Sequence, residues 1–481
     1  MSLKQKTING LVWSFIESFS KQGINFIIGI ILARLLLPEE FGLIGMIAVF
    51  IAISTSLINS GFTQALIRKK DCTDTDYSTV FYFNLIVGIL LALSLFFAAP
   101  YIELFFDEPQ LNSIVKVFSV VLIFDAFSII QRTQLIKRID FKLQTKITLI
   151  ADVASGIVAI IMAYYGFGVW SLVVKQLIGR GLHSILLWFC NKWMPNLIFS
   201  KSSFKELFGF GSKLMLSGLF SSIFQNIYLL FIGKFFSAAD LGFYTRADQF
   251  KKLPSQNINS AIQRVTFPVL SELQDDIPRL KSTFRQIMRS AMFITAVLMI
   301  GLGAVSESLI LTLLGSKWSE SIPLLQLLVF TGILYPMHSL NLNILKVYGY
   351  SGRFLRLEIL KRVLVIPAIA LGFFYGIKWM IVCIIANNLI AYFMNSFWSV
   401  KLINYSSIQQ LKDILPSLSV AIVMGIIVCF FDYFINFNPL LELILQILIG
   451  STFIIVYSEV TNFSDYIYIK KTLLKKFRKV R

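Results

Sequence analysis

The chain has 481 residues, 56% of them apolar and 15% charged, with a mean hydropathy of +0.75 and a formal net charge of +18. Such values exclude a soluble globular protein and describe a polytopic membrane protein. The positive charge is spread over links between apolar stretches, so no nucleic-acid partner is expected, and four scattered cysteines with two solitary histidines give neither a disulfide framework nor a metal site.

The first apolar run continues to Leu37 without a small-residue cleavage site, so no removable signal peptide is expected. Hydropathy and turn residues predict an all-α chain with fourteen spans. They fall at 9–36, 42–66, 78–100, 111–130, 147–165, 170–190, 214–236, 242–267, 286–314, 322–345, 363–375, 379–399, 415–435 and 440–457. Of the 44 Lys and Arg residues, 31 lie in the N-terminal tail, the C-terminal tail and every second link, whereas the alternate links hold only Lys317 and Lys378. This asymmetry predicts both termini in the cytoplasm. The outer links, such as PEEF, YGFG, SAAD and NFNP, leave no room for a folded catalytic domain. Two inner links, at 131–146 and 348–362, are basic enough to lie on anionic headgroups, and the tail from Lys470 to Arg481 reads as a membrane-surface helix.

Residues 234–267 echo residues 34–67 at a constant offset of 200. Arg34 falls on Lys234, Gly42 on Gly242 and Ile58-Asn59-Ser60 on Ile258-Asn259-Ser260. A second echo relates Tyr165-Gly166-Phe167-Gly168-Val169-Trp170 to Tyr375-Gly376-Ile377-Lys378-Trp379. The expected organisation is therefore two six-span repeats related by a pseudo-two-fold along the membrane normal, at 1–200 and 201–400. Two added spans at 401–457 and a basic cytoplasmic tail at 458–481 complete it.

The remaining 11 Lys and Arg lie within predicted spans. A cation at the bilayer centre costs roughly 2.5–3.5 kcal/mol, so such residues are expected to face a watery cavity. In the eighth span Arg246, Asp248, Lys252, Gln256 and Arg264 share one half of the helical wheel, while Lys251 falls among the apolar residues of the other half. An amphipathic helix lying on the membrane is the alternative, but it would reverse the topology of everything after it.

In the first span Ser14, Glu17, Ser18, Lys21, Gln22 and Asn25 form one polar stripe, with Glu17 and Lys21 spaced for a helix ion pair. The sixth span carries Lys175, Gln176, Arg180 and His183 near one face, and the fourth carries Lys116 near its outer end. Cations outnumber the acids Glu17, Asp125, Asp152 and Asp248, which predicts an electropositive cavity suited to a diphosphate. Those acids are candidates for coupling to H⁺ or Na⁺, since a carboxyl stripped of water in a membrane exchanges its proton near neutrality. Each also has a purely structural reading as a salt-bridge partner. The sequence has no nucleophile elbow, P-loop or Gly-rich dinucleotide turn, so no cofactor is expected beyond a coupling ion.

The segments ARLLLPEEFGLIGM, INSGFTQALIRKKD, QRTQLIKRIDFK and GFGVWSLVVKQLIGR, in that order and spacing, resemble the polysaccharide-exporting branch of the MOP (multidrug, oligosaccharidyl-lipid, polysaccharide) superfamily. The likeness covers essentially the whole chain and is closest to Wzx-type flippases of the colanic-acid and teichuronic-acid exporter kind. It implies a V-shaped pair of six-helix lobes that open alternately inward and outward. The cargo it implies is an oligosaccharide repeat unit on undecaprenyl diphosphate, with membrane lipids around it and polysaccharide assembly enzymes as potential partners. Relatives that flip lipid-linked peptidoglycan precursor use arginines of the first, second and eighth spans for the diphosphate. In this chain Lys21 and the eighth-span cations occupy such places, while the second span has Ser54, Thr55 and Ser56 and no cation. Three rivals stand beside this reading, one of them a non-transporting scaffold, for which eleven cations within spans would be unnecessary. A multidrug cation antiporter of the same fold would want an acidic or apolar cavity, and a membrane polysaccharide polymerase or ligase would want a sizeable outer loop.

Overall fold

The computed structural model describes residues 3–59, 61–434 and 437–479, and the described chain is helical throughout. Two compact units divide it, Met1–Gly242 and Phe243–Arg481. The first holds α1 (Leu3–Leu35), α2 (Pro38–Asn59), α3 (Phe62–Arg68), α4 (Asp74–Phe106), α5 (Gln110–Lys137), α6 (Phe141–Tyr164), α7 (Val169–Asn191) and α8 (Lys201–Phe235). Helix α9 (Ala238–Glu272) starts in the first unit and continues into the second. There it is followed by α10 (Ile277–Ala304), α11 (Ser306–Leu313), α12 (Ser321–Ile333), α13 (Tyr335–Val347), α14 (Ser351–Val363), α15 (Val365–Tyr375), α16 (Ile377–Ile403), α17 (Ser407–Phe434), α18 (Pro439–Val460) and α19 (Ser464–Lys479).

Among the described residues, 12 helical segments are long and apolar enough to cross a membrane, and each coincides with one of the fourteen predicted spans. The other two predicted spans are helical but differ. At 35 residues α9 has the length, and its Arg, Lys, Gln and Asn content makes it more polar than the twelve. The predicted span at 363–375 is α15, only 11 residues long. Pro367 explains the break before it, because it has no N–H to give to the carbonyl of Val363 and its ring crowds that carbonyl.

Lipid tails are as apolar as leucine, so helices in a bilayer associate through close packing and interhelical hydrogen bonds rather than through a hydrophobic drive. In the first unit α4 packs on α5, α6 on α1 and α7, α5 on α7, and α8 on α2 and α3. Helix α8 thereby belongs to the first unit, which ends at Gly242. In the second unit α10 packs on α17 and α12, α16 on α15 and α13, and α19 on α10. Polar side chains there close on one another: Asn341 donates to Gln410 at 3.0 Å and receives a bond back at 3.3 Å.

The 200-residue offset is visible in the helix boundaries. α1 and α8 end at Leu35 and Phe235, and α2 and α9 start at Pro38 and Ala238. Both starts are capped the same way, by a carboxylate reaching back to a backbone N–H three residues earlier. Glu40 accepts from Leu37 at 2.7 Å and Asp240 from Ser237 at 3.2 Å. The two starts also touch reciprocally. A Cβ added at Gly42 would lie 1.7 Å from the carbonyl oxygen of Ala238, and one added at Gly242 would lie 2.0 Å from that of Pro38. Each segment presents to the other the patch it receives, as in a self-complementary two-fold contact.

Candidate functional site

Helical spacing assembles a cavity of about 250 Å³ inside the first unit. On α1, Glu17, Lys21 and Asn25 recur every four residues and so lie one above another on a single face. Helix α6 faces them with Gln144, Thr148, Asp152 and Ser155, at the same periodicity. Helix α7 contributes Lys175, Gln176, Arg180 and His183, and α5 contributes Arg132.

The hydrogen bonds organise this lining around Asn25. Its amide nitrogen donates to Asp152 Oδ2 at 3.0 Å, and its amide oxygen accepts from Lys175 Nζ at 3.3 Å, so one side chain bridges an acid on α6 and a cation on α7. Arg180 pairs with Asp125 of α5 at 3.1 Å, the arginine half-exposed and the aspartate nearly buried. Among the described residues no ion pair joins Glu17 to Lys21, which corrects the expectation from their spacing. Glu17 Oε1 instead accepts from Gln144 at 3.2 Å and from Thr148 at 3.4 Å. The lining thus has four cations, Lys21, Arg132, Lys175 and Arg180, against the two carboxylates of Glu17 and Asp152. A net positive wall of low polarisability attracts a multivalent anion, and guanidinium and ammonium groups match phosphate oxygens.

Next to this cavity lies a larger one of about 550 Å³, lined by α2, α3, α5, α7 and α8, and Gln176 and Arg180 belong to the walls of both. Half of its lining is aliphatic or aromatic, including Ile44, Ile47, Ile51, Phe118, Val121 and Leu214, and Thr55, Ser56, Asn59, Gln64 and Ser222 are among its polar residues.

Six predicted site residues, Glu17, Lys21, Asn25, Asp152, Lys175 and Arg180, are therefore brought together in one cavity, with Asp125 bound to one of them. Lys116 is not among them: its ammonium lies over the ring of Phe96, 5.6 Å from the centroid. Arg246, Asp248, Lys251, Lys252, Gln256 and Arg264 all lie on α9 in the second unit. There Asp248 is held by two cations at once, Lys251 at 2.6 Å and Lys252 at 2.5 Å. Arg246 donates to Gln249 at 2.6 Å, and Gln256 and Arg264 are exposed.

Arg132 and Gln144 were not predicted as site residues, because the stretch 131–146 reads as an inner link. Helix α5 in fact runs on to Lys137, and Arg132 stands seven residues, two helical turns, beyond Asp125. That spacing is the signal by which it was recognisable.

Residues 31–323 match the family described as polysaccharide biosynthesis protein. The chain is 26% identical over 350 residues to the teichuronic acid biosynthesis protein TuaB of Bacillus subtilis (strain 168), covering 72% of each. It is likewise 26% identical over 337 residues to the succinoglycan biosynthesis transport protein ExoT of Rhizobium meliloti (strain 1021), covering 70% of this chain and 68% of that one. Among solved structures, the lipid II flippase MurJ in an inward closed conformation superposes with a TM-score of 0.76. That likeness covers 94% of this chain and 99% of MurJ at 16% identity, and it is a likeness of fold.

Proposed function

The chain belongs to the family of polysaccharide biosynthesis proteins in the MOP superfamily, and from that premise we propose that it is the flippase for a lipid-linked oligosaccharide in surface-polysaccharide assembly. It is a multi-pass bacterial membrane protein and a transporter rather than an enzyme. Its cargo is an oligosaccharide repeat unit on undecaprenyl diphosphate, carried from the cytoplasmic to the outer leaflet by alternating access. Unaided, such a molecule would have to strip water from many hydroxyls and a diphosphate, each unpaired polar group costing several kcal/mol. The observation that carries the reading is the cationic cavity of the first unit, where Lys21, Arg132, Lys175 and Arg180 converge. A net positive wall suits the diphosphate and repels the cationic drugs that an antiporter of the same fold would carry.

In the finer topology of this reading, α9 and the α14–α15 pair are the eighth and eleventh of fourteen spans, both termini are cytoplasmic, and two six-span lobes precede two added spans. Arg246, Lys251, Lys252, Gln256 and Arg264 are a second candidate set for the anionic headgroup, with Lys116 a peripheral one. Glu17, Asp125, Asp152 and Asp248 are the candidates for coupling to H⁺ or Na⁺. Asp152, joined to Lys175 through Asn25, is the best placed of them to sense whether an anion has engaged that lysine.

Deleting the gene tests the function. Lipid-linked repeat units are expected to accumulate on the inner leaflet while surface polymer disappears. Normal surface polymer with no accumulation would refute it.

A further inference from the structure

The larger cavity beside the cationic one has an aliphatic and aromatic lining that a diphosphate does not use. On α2 its apolar lining is Ile44, Ile47 and Ile51, and Phe118, Val121 and Leu214 add to it from α5 and α8. None of those side chains offers a hydrogen bond, so sugar hydroxyls placed there would be left without partners. Thr55, Ser56, Asn59, Gln64 and Ser222 also line the cavity, so a hydrocarbon ligand is suited to the aliphatic and aromatic part of the lining. The dividing wall supplies the second observation: Gln176 and Arg180 line both cavities. A molecule with its anionic group on Lys21, Lys175 and Arg180 therefore has an apolar chamber of about 550 Å³ within a side chain's reach. Charge on one side and hydrocarbon on the other is the chemistry of a polyprenyl diphosphate.

We propose that this chamber receives the isoprenoid units nearest the diphosphate, so that the head of the lipid is held by both its charge and the start of its chain, while the rest of the chain stays in the bilayer. The inference rests on the flippase reading and adds to it a lipid-recognition subsite in the first unit. It also supplies a means of selection. Free nucleotide-sugars bear a diphosphate without the chain, and ordinary phospholipids bear chains without the diphosphate.

The test is a binding series on the purified full chain with inorganic diphosphate, geranyl diphosphate and farnesyl diphosphate. It is run on the wild type and on Ala48→Phe and Ala52→Phe, whose new rings would fill the chamber from α2. Farnesyl diphosphate is expected to bind the wild type at least about tenfold more tightly than inorganic diphosphate, with geranyl diphosphate between them. Both variants should flatten that series and keep the affinity for inorganic diphosphate. A flat series in the wild type, a slope the variants leave untouched because it reflects partition into the micelle, or equal competition by phosphatidylglycerol would each overturn the proposal. Variants that lose inorganic diphosphate as well would also overturn it, since the chamber would then not act on the chain separately. Failure of the wild type to bind even inorganic diphosphate would remove the anion site beneath the flippase reading, and this inference with it.

Discussion

At the scale of single residues, the cavity works through pairs that are close but not all closed. Arg180 and Asp125 form an ion pair, and removing the half-exposed arginine leaves the nearly buried carboxylate without its cation, at a cost below the roughly 3–5 kcal/mol of a fully buried pair. Arg180→Ala is therefore expected to lower the melting temperature of the purified protein, and adding Asp125→Asn to regain much of the loss. A double variant no more stable than Arg180→Ala would show that the pair is not what holds α5 to α7 there. Asn25→Ala is expected to uncouple Asp152 from Lys175 and to change the H⁺ or Na⁺ dependence of transport. An unchanged ion dependence would clear Asp152 of a coupling role. Much of this site is legible from periodicity, because Glu17, Lys21 and Asn25 on α1 share a face in any helix. The partner of Glu17 is not legible. Spacing along α1 alone favours Lys21, whereas the residues that bind Glu17, Gln144 and Thr148, come from α6, and no pattern within one helix reveals its neighbour's face.

At the scale of elements, the reciprocal contact of Gly42 with Ala238 and Gly242 with Pro38 sets how closely the starts of α2 and α9 approach. The atoms a Cβ would meet are backbone atoms, which cannot swing aside. Gly42→Ala and Gly242→Ala are each expected to destabilise the protein strongly and to abolish polymer export, as measured by membrane-embedded yield and surface polymer. Gly23→Ala is the control, because nothing lies within 4 Å of its added methyl and alanine is favoured in a helix by about 1 kcal/mol. Normal yield and export in the Gly42 variant would mean that α2 and α9 do not approach in this way. The 200-residue echo in the sequence anticipated that Gly42 and Gly242 are equivalent. It did not reveal that they meet, because an offset relates two copies without saying which surfaces they share. The span boundaries were legible wherever apolar runs end at turn residues. They failed at α5, which carries its helix two turns into a basic segment, while the predicted start at 363 falls two residues before that of α15, where Pro367 breaks the helix.

At the scale of the whole molecule, the described residues include twelve helical segments long and apolar enough to cross a membrane, in a fold like that of MurJ over 94% of the chain. The topology proposed from the charge bias predicts that single cysteines at Lys317 and Lys378 are labelled by a membrane-impermeant maleimide from outside intact cells, and that cysteines at Lys142 and Lys281 are not. The opposite pattern would invert the molecule, and with it the direction of transport. The account as a whole depends on the cations of the first unit holding the diphosphate during passage. It is tested most directly by following a fluorescent undecaprenyl-diphosphate oligosaccharide across proteoliposomes that contain equal amounts of the wild type or the Lys21→Ala, Lys175→Ala double variant. The double variant is expected to transfer it at least about tenfold more slowly, since two charge-assisted contacts are lost. Transfer at the wild-type rate would contradict the account.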